Sequence, residues 1–124
     1  MKNKTKYSKP GNVYLGIPHR LDRPTSGVVI FAKTSKSLSR LNKIFKEGEV
    51  QKYYWAITKN KPEKPEDTLI HWLRKSEKTN KSTHFKKETI RAKKAVLHYK
   101  VLKKLERYFV IEIELVTGRH HQIR

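Results

Sequence analysis

Apolar residues come in short runs along this chain, and their spacing sorts them into several strands and one helix. The clearest alternation lies over Tyr108–Thr117, where Phe109, Ile111, Ile113 and Leu115 fall on one side and Val110, Glu112, Glu114 and Val116 on the other. That is the period of a strand with one buried face. Ala95–Leu102 has the same character, and Leu105–Glu106–Arg107 reads as the turn joining the two into an antiparallel hairpin. Gln51–Thr58 is aromatic and β-branched, and a strand there sends Tyr53 and Trp55 to one face and Tyr54 and Ala56 to the other. Thr68–Leu73 predicts a further short strand after the proline-punctuated loop Lys61–Pro65. Gly27–Lys33 is a continuous apolar run, the pattern of a strand buried on both faces. A helix follows it: Leu38, Leu41, Ile44 and Phe45 recur at helical spacing, Ser35 can cap the start, and Gly48 suits a left-handed end. Lys36, Arg40, Lys43 and Lys46 occupy the remaining helix faces. The order strand, helix, strand, strand, hairpin predicts an α+β fold, a mixed and mostly antiparallel sheet with a flanking helix and basic loops.

Composition narrows the function. A chain of 124 residues is one domain at most, and with 35% hydrophobic and 33% charged residues its core must come from the patterned segments. The 30 Lys and Arg against 11 Asp and Glu give a formal charge of +19, a field that attracts polyanions. Nucleic acid is the leading partner, since no stretch approaches a membrane span and none is both basic on one face and rich in large apolar residues. Residues 74–94 add to this, with Lys75, Lys78, Lys81, Lys86, Lys87, Lys93, Lys94, Arg74 and Arg91 among few apolar anchors, and predict a flexible basic excursion able to lie on RNA. Residues 1–15 read as a basic lead-in, without the apolar run of a secretory signal. With no Cys there is no disulfide frame and no thiolate site, which accords with a cytoplasmic protein.

The chemistry gathers at His19–Arg20–Leu21–Asp22–Arg23–Pro24–Thr25–Ser26–Gly27, where one carboxylate stands between arginines. Pro24 restricts its own φ and biases Arg23 away from helix, and Gly27 permits backbone angles closed to other residues, so Asp22 sits on a constrained loop. Such a loop is a good seat for a reacting group, although a loop Asp also serves simply to accept hydrogen bonds from nearby N–H groups. No Gly-rich phosphate loop is present, and His120 and His121, adjacent on a segment expected to be extended, point to opposite faces rather than toward one metal ion.

The block at 19–27 resembles the catalytic loop of the RluA-type pseudouridine synthases, which isomerise selected uridines of ribosomal or transfer RNA. Val116–Thr117–Gly118–Arg119–His120–His121–Gln122–Ile123–Arg124 resembles the same family's Thr-Gly-Arg-x-His-Gln-Ile-Arg segment, and Lys52–Tyr53–Tyr54–Trp55–Ala56 fits its Lys-x-Tyr-x-Ala pattern. The three blocks occur in the family's order, and the likeness runs from about Gly16 to Arg124, so residues 16–124 are expected to be part of a catalytic domain. The resemblance implies a mixed sheet crossed by an active-site cleft, and a reaction that needs no cofactor and no metal.

It also implies roles. Asp22 becomes the essential carboxylate, as nucleophile or as base. Tyr54 stacks on the target base and handles the C5 proton, with Tyr53 the substitute if the register differs by one. Arg124 pairs with the catalytic carboxylate and keeps it charged beneath a bound base. Arg20 helps hold the target nucleotide out of the stack. His19, Arg23, Arg119, His121 and Gln122 support the loops or contact RNA. The family's upstream Lys-Pro-x-Gly strand is not found, Lys9–Pro10–Gly11 standing too near His19 to be it, and the family's sequence continues beyond the position of Arg124. The chain is therefore expected to be a fragment of a longer enzyme. A non-catalytic RNA-binding module that stacks bases on Tyr53, Tyr54 and Trp55 is the alternative. A double-stranded DNA reader fits less well, for want of a recognition helix or zinc finger.

Overall fold

The computed structural model describes residues 11–124, so most of the basic lead-in lies outside the described residues. The chain divides into two compact units, one ending at Val50 and the other spanning Gln51–Arg124.

In the first unit the backbone from Gly11 leads through the Asp22 loop to a single helix, α1 (Ser35–Glu47). The cap is one residue earlier than the sequence predicts. Thr34, in extended conformation, accepts from the Ser37 N–H at 3.0 Å, and Ser37 Oγ accepts from the Thr34 N–H at 3.2 Å. This reciprocal pair satisfies two donors, whereas Ser35 already has helical geometry and cannot cap. Gly48 closes the other end at φ 73°. Leu38, Leu41, Ile44 and Phe45 are half-buried along one stripe, while Lys36, Arg40, Lys43 and Lys46 are exposed.

The strand expected over Gly27–Lys33 is not formed. Val28 is 83% exposed and Phe31 47%, and the one β-bridge among the described residues joins Ala32 to Gly16 through two 2.8 Å backbone bonds. An apolar run becomes a strand only if a neighbour takes up its N–H and C=O groups, and among the described residues one bridge does so. A Cβ at Gly16 would come within 2.9 Å of the Leu38 Cδ2 of α1, so a larger residue at that bridge would have to displace the leucine side chain.

The second unit is a five-stranded antiparallel sheet of β1 (Lys52–Thr58), β2 (Glu66–Lys75), β3 (Ser82–Phe85), β4 (Lys93–Lys104) and β5 (Phe109–Leu115), in the order β1-β5-β4-β2-β3. The predicted hairpin is β4–β5, closed by a 2.8 Å bond from the Leu105 N–H to the Tyr108 carbonyl. A register shift between Val101 and Lys103 leaves Leu102 as the bulged residue. Residues 74–94 are loop only in part: 76–81 and 86–92 lie outside the strands, but β2 runs to Lys75 and pairs with β3, with Leu73 opposite His84 and Trp72 opposite Phe85. Ladder bonds are made by backbone, so the lysines there stay exposed without preventing pairing. On the outer face the Arg74 guanidinium lies 4.9 Å from the Phe85 ring centre, covering it.

The register puts Tyr54, Ile113, Tyr99 and Asp67 in one row across the sheet and Ala95, Leu97, Leu69 and His71 on the same face. Tyr99, Ile111 and Ile113 are the buried centre, with Tyr54, Leu69, Leu97 and Ile123 packed around them. Tyr53, Trp55 and Ile57 stand exposed on the opposite face, as the alternation predicts, and Trp55 Nε1 donates to Glu112 Oε2 at 3.3 Å.

Candidate functional site

In the first unit the loop presents Asp22 outward. Its backbone carbonyl accepts from the Thr25 N–H at 2.9 Å, making the turn through Arg23 and Pro24, and Arg20, Asp22 and Arg23 lie at the surface. Among the described residues of its own unit the carboxylate makes no hydrogen bond or ion pair. His19 anchors the loop instead. Its Nε2 accepts from the Ile30 N–H at 2.9 Å, and its ring stacks on Phe45 at 4.9 Å between centres. An acceptor nitrogen carries no proton, so in this arrangement the neutral ring is protonated at Nδ1. His19 thus ties the loop to α1 and shapes it, while Asp22 stays available to attack carbon or take a proton.

In the second unit Tyr54 is half-buried on the core face of β1, and the 117–124 segment is a compact turn rather than an extended strand. Gln122 holds it together. Its Oε1 accepts from Thr117 Oγ1 and from the Arg119 N–H, both at 2.9 Å, and its Nε2 donates to the Val96 carbonyl at 3.0 Å. Thr117 Oγ1 in turn accepts from the Val96 N–H at 2.8 Å. Ser82 Oγ donates to the His120 carbonyl at 2.8 Å, so β3 fastens the other side of the turn. His121 takes φ 52°, which folds the two histidine rings together at 3.7 Å between centres instead of onto opposite faces. Positive φ at a histidine leaves no trace in hydrophobic patterning, so the extended reading failed there. Among the described residues no group of three or more His, Cys, Asp or Glu is placed to hold a metal ion.

The turn forms one wall of a cleft of about 500 Å³ on the face that carries Tyr54. Leu69, Leu73 and Leu97 are among its apolar lining, and Arg124, His71 and His84 among its polar lining. The structure thus gathers His121, Gln122 and Arg124 at one cleft of the second unit, and His19, Arg20, Asp22 and Arg23 on one loop of the first. His71 and His84, edge-on at 5.7 Å, are cleft residues that sequence reasoning missed. Neither stands in a local pattern that marks it, and only the β2–β3 pairing brings them together.

Replacing Gln122 by leucine keeps the volume but removes the three bonds, leaving the Arg119 N–H without its acceptor while Thr117 still holds Val96. The turn should loosen by about 1–3 kcal/mol. Amide hydrogen exchange checks this: protection at Arg119 should fall while that at Ile113 stays, and equal protection of Arg119 in both proteins would contradict it.

A protein-family model described as RNA pseudouridylate synthase matches residues 1–124. The chain is 43% identical over 108 residues to the ribosomal large subunit pseudouridine synthase C of Rickettsia conorii, an overlap of 86% of this chain and 35% of that protein. It is 36% identical over 117 residues to the tRNA pseudouridine synthase C of Vibrio parahaemolyticus, covering 86% of this chain and 47% of that protein. The solved structure of human RNA pseudouridylate synthase domain containing 4 superposes with a TM-score of 0.80 at 25% identity, over 98% of this chain and 49% of the human one. The chain therefore spans half or less of the length of these relatives.

Proposed function

The chain belongs to the RNA pseudouridylate synthase family, and on that premise we propose that it is part of the catalytic domain of an enzyme that isomerises selected uridines in ribosomal or transfer RNA to pseudouridine. The match over residues 1–124, joined to an outward-facing Asp22 on its anchored loop, is what carries this reading. The reaction breaks the bond from N1 to ribose C1′, turns the free base, and joins C5 to the same carbon. C5 then loses a proton and N1 gains one, so no atoms or electrons enter or leave. The chemistry requires no redox group.

Asp22 supplies the carboxylate, as nucleophile at the sugar or as base beside it. Tyr54 stacks on the turning base, and its hydroxyl serves the C5 proton. Arg124, always protonated and able to grip in two-point fashion, pairs with the carboxylate and keeps it ionised under the bound base. Arg20 helps open the RNA and hold the target nucleotide out of the stack. Arg23, Arg119 and His121 meet the RNA, while Gln122, whose amide is committed to the turn, and His19, committed to the loop, position the others. This activity belongs in the cytoplasm, where its RNA substrates are. No helix among the described residues is long and apolar enough to cross a membrane.

The test is a chemical map of pseudouridine in total RNA from cells with and without the gene that encodes this chain. One or a few pseudouridines should disappear from ribosomal or transfer RNA on deletion and return with the intact gene. An unchanged map would remove the isomerase reading and leave the non-catalytic RNA-binding module in its place.

A further inference from the structure

A second concavity of about 290 Å³ lies beside the Arg124 cleft, lined by Lys75, Arg91, Lys93 and Arg119 together with Ser82 and His120, and by no carboxylate. Its cations come from separate parts of the second unit. Lys75 and Lys93 reach it from one face of the sheet, since Leu73 stands opposite Lys93 and Lys75 opposite Ser82. Arg119 comes from the turn, where its Nε donates to the Lys94 carbonyl at 2.9 Å, orienting the guanidinium and leaving its terminal nitrogens for a ligand. Arg91 comes from the loop entering β4.

Arg91 is the informative member. It adopts φ 61°, a left-handed conformation that costs a non-glycine residue on the order of 1 kcal/mol or more. Asn or Gly would take that conformation more cheaply, so what arginine adds at this position is its charge. Lys75, Arg91, Lys93 and Arg119 have no ion-pair partner among the described residues. Like charges converging on one concavity repel each other until an anion neutralises them, and the volume admits a tetrahedral anion with its water.

We propose that this pocket is a binding site for one backbone phosphate of the RNA, setting the register of the strand beside the Arg124 cleft. The site stands on the geometry, and the identity of the polyanion rests on the RNA-modifying reading. Phosphate contacts position a nucleic acid without reading its sequence, which is what an enzyme presenting one chosen uridine needs next to its cleft.

The experiment compares two doubly substituted proteins that lose the same charge. Arg91→Asn with Lys75→Gln removes two of the pocket's four cations, and asparagine keeps the left-handed backbone accessible. Lys103→Gln with Lys104→Gln removes two exposed cations at the other end of β4. Binding to an unmodified transfer RNA transcript is measured across a salt series. The pocket pair should bind about tenfold more weakly at low salt, with a log–log salt slope shallower by roughly 0.7–0.9, the contribution of one phosphate. The control pair should leave the slope close to that of the parent. Equal losses in the two proteins would overturn the site in favour of a diffuse field, as would parent binding that does not respond to salt. Pseudouridine in the same transcripts is scored separately. A pocket pair that loses slope while the parent forms no pseudouridine keeps the phosphate site and removes that transfer RNA as the substrate.

Discussion

Asp22→Asn should leave RNA binding intact and abolish the proposed pseudouridine formation. The substitution retains the shape of the side chain and the 2.9 Å bond from the Thr25 N–H to the residue 22 carbonyl, so the loop keeps its turn. What it removes is one negative charge at the surface of a chain of formal charge +19, which weakens nothing in the attraction to RNA. Turnover has no such protection, because the amide can neither attack the sugar carbon nor accept a proton with comparable strength. The size of the loss assigns the role. A fall of about 10²–10⁴ in kcat is the range of a general base, whereas a fall nearer 10⁶ is the range of a lost nucleophile. The measurement uses the whole encoded protein, with pseudouridine quantified in a transcript it modifies and RNA retention recorded in parallel. Normal pseudouridine yield from the Asp22→Asn protein would end the proposal for Asp22. Joint loss of binding and yield would make Asp22 a structural residue.

How far this could be read from the residues depends on what each signal physically encodes. The alternation of Phe109, Ile111, Ile113 and Leu115 was legible because one buried face demands a period of two, and the same logic placed Tyr53 and Tyr54 on opposite faces. At 27–33 the apolar run encoded a demand for burial but no neighbouring strand, and among the described residues a single β-bridge at Ala32 is what forms. The short β3 was hidden because lysine density argues for solvent, while ladder bonds depend on the backbone and tolerate outward-pointing charge. One hydroxyl next to another, Thr34 and Ser35, shifted the cap by a residue, since capping is decided by which of them leaves helical geometry. The exposed turn at Asp22 was legible from Pro24 and its neighbours. The Arg124 cleft was legible only in part, because His71 and His84 come from strands whose pairing no local pattern announces. The cation pocket likewise required the turn at Arg119 to be folded before its members could be seen as neighbours.

Ile113→Ala should unfold the second unit under conditions in which Ile57→Ala does nothing measurable. Both are isoleucines on strands of the same sheet, and they differ in face: Ile113 is 3% exposed and Ile57 68%. Ile113 stands between Tyr54 of β1 and Tyr99 of β4, at the centre of the buried cluster. Truncating it removes the transfer free energy of the lost carbons and leaves a cavity the flanking tyrosines cannot fill without leaving their rows, a combined cost of about 2–5 kcal/mol. Small domains hold roughly 5–15 kcal/mol in total, and this unit has few other buried apolar side chains to share the load, so the variant sits near or below the threshold of folding. Ile57→Ala removes surface already in water and should shift stability by no more than about 0.5 kcal/mol. Urea unfolding of both variants, followed by the tryptophan signal at unchanged m-value, separates the cases. Ile113→Val keeps the measurement usable if the alanine protein does not fold, with an expected loss of about 0.5–1.5 kcal/mol. Since Tyr54 lies directly across from Ile113, the valine protein should also turn over more slowly while binding RNA normally, a cavity beside the ring loosening the group proposed to stack on the base. Equal urea midpoints for Ile113→Ala and Ile57→Ala would refute this placement of the core and, with it, the inward seat of Tyr54.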